Sequence, residues 1–265
     1  MTACRHEYYS RRMRCDHCGI LMIRSRLNEE EWHRRVRLTA AVYMAWILGY
    51  ELVGTYASHL PGVHLALALD AWIPLEPQWV WVYMTTYFLP LAAPFAIADN
   101  HRFNRALLAI GLASVTAYLV FLALPVSFER PPLAHHTVAA RLLARQYRYD
   151  FPHGGNQLPS LHVANACIVY ASVRGQRLGR WGDRALWLLV LAIAMSTLLV
   201  KQHLVIDVFA GGLWGIASWK LVGWYYARVV RPGMSAALAL RHVLRTLLPT
   251  RAPGTFLGGG VSREV

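Results

Sequence analysis

Residues 196–212 read STLLVKQHLVIDVFAGG, an apolar run that contains the ionisable side chains His203 and Asp207. Four residues are about one helical turn, so the spacing predicts that both side chains project from one helix face and hydrogen-bond. In hydrocarbon an isolated imidazole or carboxylate costs several kcal/mol, whereas a pair that faces a protein or water cavity costs much less. We therefore interpret the pair as a site in which the carboxylate fixes the tautomer of a histidine that acts as base or nucleophile. The alternative is a polar contact between membrane helices.

The composition indicates a membrane protein. Of the 265 residues, 56% are hydrophobic and 15% are charged, and the mean hydropathy is +0.31. These values are too apolar for an ordinary soluble domain of this length. The net charge of +13 could indicate a nucleic-acid partner, but the arginines cluster between long apolar runs, as in polytopic membrane proteins. We expect an all-α polytopic membrane protein with no nucleic-acid partner.

Apolar runs of about twenty residues follow one another, each long enough for a hydrocarbon core of about 30 Å. No glycine or proline separates the last two runs, but one helix of their combined length would be about twice the bilayer thickness, so residues 201–203 are predicted to form a tight hairpin. The predicted organisation is a basic cytoplasmic tail (1–35), a six-helix catalytic domain (36–224) and a cytoplasmic interfacial helix with a disordered end (225–265). The six predicted spans are 36–56, 79–98, 106–124, 161–173 with an extension to about residue 177, 185–200 and 204–224.

The distribution of lysine and arginine predicts the orientation of these spans. Segment 99–105 has two arginines and segment 174–184 has four, whereas segment 58–78 has neither lysine nor arginine. The positive-inside rule then places both termini in the cytoplasm. We expect a multi-pass protein of the plasma membrane with its site on the outer face.

Loop 125–159 carries four arginines although it is predicted to lie outside. In it Val138 and Leu142 are four residues apart, and Arg141, Arg145 and Arg148 repeat at four and three, which predicts an amphipathic helix on the membrane surface. Its arginines either meet anionic lipid headgroups or only solubilise the helix. Residues 234–248 repeat the pattern and predict a second interfacial helix.

The N-terminal tail contains potential metal ligands, namely Cys4, Cys15, Cys18 and His17. Thiolates and imidazoles at such spacing could hold a zinc ion. The second half of a usual four-ligand site is missing, so we favour a disordered basic tail over a zinc site. We expect no cofactor.

The predicted topology brings polar residues that are distant in sequence to the outer face. Cations can bind the non-bridging oxygens of a phosphate, one histidine can attack phosphorus, and another can protonate the departing oxygen. The set therefore has the parts needed for phosphoryl transfer. Its members are Arg130 after the third span, Ser160 and His162 at the start of the fourth, and Lys201, His203 and Asp207 at the join of the fifth and sixth.

Two segments carry a family resemblance. The motif QLPSLH at 157–162, and Ser196-Thr197 followed by His203, Asp207, Ala210 and Gly211, resemble the second and third signatures of the type 2 phosphatidic acid phosphatase superfamily. The match is closest to its inositol phosphorylceramide synthase branch, in which PSLH replaces PSGH and a Ser-Thr pair precedes HxxxD. The resemblance covers roughly residues 36–224. It implies a helical membrane enzyme, a phosphatase or phosphotransferase, that acts on a lipid phosphate.

The resemblance also implies roles for individual residues. His203 resembles the nucleophile that forms a phosphohistidine, Asp207 its orienting carboxylate and His162 the general acid. Ser160 resembles a phosphate-contacting residue, and Arg130 and Lys201 are the expected phosphate-binding cations.

Two positions depart from the phosphatase signatures. The first signature is represented only by Arg130-Pro131, since Ala123 stands where its lysine would be, and Thr197 replaces the arginine of the third signature. The dianion of a phosphate monoester needs more positive charge than these residues supply. A phosphodiester carries less negative charge and needs fewer cations. The acceptor, water or an alcohol, stays open.

Two other functions use the same side chains. A transporter could place His203 and Asp207 in a polar path, although such residues would then be expected near the membrane midplane. A zinc site made by His162, His203 and Asp207 would have acceptable ligand types.

Overall fold

The computed structural model describes residues 29–134, 136–151, 154–176 and 178–229, and these contain helices and no named strand. The predicted cysteine cluster and the predicted helix at 234–248 lie outside the described residues. Short 3₁₀ turns lie at Pro77–Trp79 and Pro90–Ala92. The α-helices are α1 (Glu29–Ala57), α2 (Ala68–Trp72), α3 (Val80–Phe88), α4 (Ala93–Ala96), α5 (Asn100–Ala123), α6 (Val138–Tyr149), α7 (Leu161–Val173), α8 (Gly179–Leu199) and α9 (Val205–Val229).

One end of the helical bundle gathers the segments that are rich in arginine, and we call residues 29–35, 97–105 and 174–184 the arginine-rich end. Buried Arg35 near the start of α1 donates to the carbonyls of Ile97 (2.6 Å) and Ala98 (3.2 Å) and to the Asn100 side chain. Arg102 donates to the Arg174 carbonyl at 2.8 Å. The arginine-bearing connections that were predicted to share one membrane side therefore lie together.

The opposite end, which we call the site end, consists of residues 57–76, 124–160 and 199–207. There Val63 forms an isolated bridge with Val126, and the Glu76 N–H donates to the Leu199 carbonyl at 2.8 Å. Between the two ends the described chain makes six passes, in the order predicted from the apolar runs.

The passes differ in length and continuity. Helices α1, α5, α8 and α9 are long and apolar enough to cross a membrane, which indicates an integral membrane protein. The second pass is broken near Pro90 and Pro94, because proline lacks the N–H that an unbroken helix needs. The fourth, α7, has only 13 residues and ends at Val173, so it is about 20 Å long. Six membrane spans are therefore not confirmed.

The hairpin between α8 and α9 is made without glycine. Lys201 adopts a left-handed backbone conformation (φ 51°), the N–H of Lys201 donates to the Leu198 carbonyl, and the N–H of Gln202 donates to the Thr197 carbonyl. These two hydrogen bonds form a Schellman motif, a helix ending in which glycine usually takes the left-handed position. The turn was predicted, but helix α8 is ended by these hydrogen bonds and not by a glycine or proline.

Helix α6 is amphipathic, as predicted, but a different face is buried. Ala139, Ala140, Leu143 and Ala144 are buried, and Ala139 and Leu143 belong to a cluster with α3, whereas Val138 is 60% exposed. The helix packs on the protein because its small residues allow close approach to α3 and the preceding turn. The predicted arginine face remains exposed.

Close packing of α7 on α9 sets the geometry of the site end. A Cβ on Gly211 would meet the Ser160 carbonyl, and a Cβ on Gly215 would meet the Ala164 carbonyl. Small residues four apart allow helix backbones to approach closely in membrane proteins. The main-chain N–H of Ser160 can therefore donate to the Asp207 carbonyl at 3.0 Å, which joins the two histidine-bearing segments.

Candidate active site

His203 and Asp207 come together, but not on one helix face as predicted. The tight turn ends α8 at Leu199, so His203 lies in the loop before α9 and Asp207 lies in the first turn of that helix. The His203 Nδ1 atom is 3.5 Å from Asp207 Oδ2 and does not form the predicted hydrogen bond, and both side chains are buried. The carboxylate also accepts the Leu204 N–H at 2.8 Å. Its position is thus fixed by the start of α9, where a negative charge is favourable.

The second histidine, His162, lies on the other side of the His203 ring. Its Nδ1 atom is 3.2 Å from His203 Nε2, and it is buried at the start of α7. Its Nε2 atom is 3.0 Å from the Tyr83 hydroxyl. The Tyr87 hydroxyl is 3.3 Å from that of Tyr83 and accepts from Gln146 Nε2 at 3.1 Å. A chain of polar contacts therefore runs from α6 through α3 to the two histidines.

One donor order satisfies this chain. If His162 is in its imidazolium form, its Nδ1–H points at His203 Nε2 and its Nε2–H donates to the Tyr83 hydroxyl. The ring proton of His203 is then on Nδ1, on the side of Asp207. The arrangement presents the lone pair of His203 Nε2 to an acidic proton, which suits a nucleophile and a general acid that act on one centre.

Several buried hydrogen-bond donors surround this pair. Within the described ranges, the Ser160 hydroxyl, Arg130 Nε and Gln202 Nε2 have no hydrogen-bond partner. Buried donors without partners are rare in folded proteins. Such donors are the groups that an oxyanion needs, so these residues could hold the oxygens of a phosphate.

Arg130 lies near the pair, as predicted, but most of its donors are occupied. Its Nη2 atom donates to Gln202 Oε1 at 2.9 Å and is 3.5 Å from Asp150 Oδ2, and its Nη1 atom donates to the Phe151 carbonyl at 3.1 Å. Tyr50 donates to the other oxygen of Asp150 at 2.6 Å. Arg130 is held in place next to His203 by the neighbouring Gln202.

The structure does not bring Lys201 into the cluster. Its ammonium donates to the carbonyls of Asp70 (2.9 Å) in α2 and of Ile73 (2.6 Å) at the end of that helix. Burial lowers the pKa of Lys201, and the Asp70 carboxylate opposes this shift. The left-handed backbone at Lys201 directs its side chain away from the histidines. A phosphate-binding role for it is not supported by this geometry.

Four residues near the site were not predicted from the sequence. Tyr83 and Tyr87 lie four residues apart in an apolar helix, a spacing that reads as core packing. Gln202 carries no charge that would single it out. Asp70 accepts the Val205 N–H at 2.8 Å and so caps α9 from the short helix α2, which is distant in sequence. The only signal in the sequence for any of these four residues is that Asp70 is the one acidic residue between residues 52 and 75.

A cavity of about 270 Å³ opens beside His162. It lies between α1, α3 and α6, and aromatic side chains make much of its wall. His203 is not part of the lining, so the cavity reaches the two histidines from the side of His162. The lining of the cavity includes Trp46, Tyr50, Glu51, Tyr87, Asp150 and His162.

The ligands of the alternative zinc site do not converge. His203 contacts Asp207 through Nδ1 and His162 through Nε2, which are on opposite sides of its ring. Among the described residues no group of three or more histidine, cysteine, aspartate or glutamate side chains could hold a metal ion.

Fold and site together define a helical membrane protein with a buried His-His-Asp centre. The family model described as the PAP2 superfamily matches residues 57–221, which include every residue of this centre. The chain therefore belongs to the PAP2 superfamily, and this membership indicates a phosphatase or phosphotransferase. Neither the comparison with curated proteins nor the comparison with solved structures found a match.

Proposed function

We propose that this protein is a lipid phosphotransferase or phosphatase that works through a phosphohistidine at His203. The observation that carries the proposal is the contact between His203 Nε2 and His162 Nδ1, with Asp207 on the far side of the His203 ring. His203 Nε2 thus faces the proposed general acid, and His203 Nδ1 faces the carboxylate. The resemblance to the inositol phosphorylceramide synthase branch favours a lipid donor and an alcohol acceptor.

In the first half-reaction His203 Nε2 attacks phosphorus and the bond from phosphorus to the departing oxygen breaks. The imidazolium form of His162 gives its Nδ1 proton to that oxygen and becomes neutral, and Asp207 stabilises the positive charge on the His203 ring. In the second half-reaction water or an alcohol attacks the phosphohistidine and gives its proton to His162. The bond between nitrogen and phosphorus then breaks and restores His203.

Substrate binding must separate the two rings. A phosphoryl group does not fit between nitrogens that are 3.2 Å apart, because each needs roughly 3 Å to the reacting centre. The unpartnered donors of Ser160, Gln202 and Arg130 would then receive the phosphate oxygens. The direct contact between the histidines is the arrangement that the substrate replaces.

The charge of the site favours a phosphodiester over a phosphomonoester. Arg130 donates to Gln202, the residue before His203, and it is already paired with Asp150. Lys201 is committed to carbonyls outside the cluster. A phosphodiester carries a single negative charge and needs less compensation than a dianion. We propose that it binds at the outer face of the plasma membrane.

The first prediction tests the nucleophile. His203→Ala should reduce turnover of lipid phosphates by a factor of about 10³ or more and leave folding unchanged, because it removes the attacking nitrogen. Rapid quenching of the wild type with radiolabelled donor should trap an acid-labile, base-stable phosphoenzyme that the variant lacks. His59→Ala, which changes an exposed histidine at the same end, is the control and should retain activity. A folded His203→Ala protein with normal turnover would refute the proposal.

A further inference from the structure

Glu51 is an acidic residue inside an apolar membrane helix. It lies six residues before the end of α1, about 9 Å from the site end. It is half-buried and lines the cavity beside His162. A carboxylate in such a segment is costly unless it faces a cavity or a partner, and its presence therefore points to a function.

The carboxylate of Glu51 is free, whereas that of the neighbouring Asp150 is not. Asp150 accepts from the Tyr50 hydroxyl and is paired with Arg130. In the described part of the chain no hydrogen bond or ion pair involves Glu51. Since Arg130 balances Asp150, the cavity keeps one uncompensated negative charge.

The walls of the cavity complement a cation. Trp46, Tyr50 and Tyr87 line it together with Glu51, and Trp46 and Tyr87 lie with ring centroids 6.3 Å apart. Aromatic faces attract ammonium groups, most strongly where water is excluded, and a carboxylate adds to that attraction. An anionic group would be repelled by Glu51, and a neutral polyol would leave its charge without a partner.

The geometry points to a binding site for the ammonium-bearing end of a zwitterionic phosphodiester lipid, with Glu51 and the aromatic walls as its ligands. This inference rests on the proposed function, because it places the phosphate of the same molecule at His203. The site supplies partners for both charges of such a lipid. Arg130 and the unpartnered donors can bind the phosphate, and Glu51 can bind the ammonium group. His162 lines the cavity and contacts His203, so it joins the two parts of the site.

The kinetic test compares lipid donors that differ only in the headgroup. Glu51→Gln should raise KM for a trimethylammonium donor about tenfold or more and change KM for a neutral polyol donor less than about twofold. The control is Glu129→Gln, because Glu129 is an exposed acidic residue at the same end and lies outside this cavity. It should alter neither KM. An equal rise for both donors in Glu51→Gln would overturn the inference.

A binding test does not depend on turnover. Full-length His203→Ala protein in maltoside micelles is titrated by calorimetry with choline and with its neutral carbon isostere, 3,3-dimethylbutanol. Choline should bind at least about tenfold more tightly, and the additional change Glu51→Gln should remove that difference. Equal binding of the two compounds would overturn the inference. Selective choline binding by a wild-type protein without any turnover would instead contradict the proposed function alone.

Discussion

At the scale of single residues, the chemistry of the site depends on the Nδ1 proton of His162. Tyr83 is fully buried and its hydroxyl is 3.0 Å from His162 Nε2, with Tyr87 and Gln146 continuing the chain of contacts behind it. We therefore expect Tyr83 to act on the reaction through His162, as a positioning residue whose hydroxyl accepts from Nε2 and holds the Nδ1–H toward His203.

Tyr83→Phe should therefore slow the transfer by about 10- to 100-fold, because the His162 Nδ1–H is no longer held toward His203. The loss should be large with a lipid alkoxide leaving group and small with nitrophenolate, which departs without protonation. His162→Ala should show the same dependence more strongly. Steady-state rates with the two donor types are the measurement.

Tyr170→Phe is the matched control for this experiment. Tyr170 packs against Trp187 near the arginine-rich end and the substitution keeps its ring, so both rates should be unchanged. If Tyr83→Phe slowed both substrates equally, Tyr83 would serve packing rather than proton placement.

At the scale of helices, the site depends on how closely α7 and α9 approach. Gly211 faces the Ser160 carbonyl, and the hydrogen bond from the Ser160 N–H to the Asp207 carbonyl spans the same contact. Since His162 is carried by α7 and Asp207 by α9, any separation of these helices moves His162 away from His203.

Gly211→Ala should destabilise the protein by about 1–3 kcal/mol and reduce turnover, because its Cβ would press against the Ser160 backbone. Gly212→Ala is the control, since a Cβ at Gly212 meets no atom within 4 Å. It should be neutral or stabilise the protein by up to about 1 kcal/mol through better helix propensity. The midpoint of thermal inactivation in detergent and the turnover at a low temperature measure the two effects. Equal behaviour of the two variants would show that the helices do not need this close approach.

At the scale of the whole molecule, the loops sort into an arginine-rich end and a site end. The contacts of Arg35 and Arg102 place the positive connections together, at the end opposite the histidines. The positive-inside rule then predicts that the arginine-rich end is cytoplasmic and that the site faces outward.

Single cysteines in a background without the native cysteines test this orientation. His59→Cys and Glu129→Cys, at exposed positions of the site end, should react with a membrane-impermeant thiol reagent in intact cells. Arg180→Cys, at an exposed position of the arginine-rich end, should react only after permeabilisation. Labelling at residue 180 alone would show that the orientation is the reverse of the predicted one, and cytosolic substrates would then be the leading candidates.

Much of this architecture could be predicted from the sequence. Apolar runs predict the helices, since burial in hydrocarbon depends on local composition, and five of the six predicted spans correspond to single continuous helices. The motifs around Ser160, His162, His203 and Asp207 predict the superfamily, which is confirmed, whereas the inositol phosphorylceramide synthase branch stays a prediction. The bounds were less accurate: α1 begins at Glu29 rather than residue 36, and α8 begins at Gly179 rather than residue 185. Amphipathic helix ends extend beyond the membrane-like part of their sequence.

The sequence by itself determined the residue types of the centre and the order of the helices, because both follow from local chemistry and hydrophobic period. Only the tertiary structure decided that Tyr83 meets His162 across 79 positions and that Glu51 shares a cavity with that histidine. It also decided that Lys201 points away, since the left-handed turn directs its ammonium to the carbonyls of Asp70 and Ile73. Such contacts depend on how helices pack, and packing is set by the fit of many side chains at once rather than by any one segment.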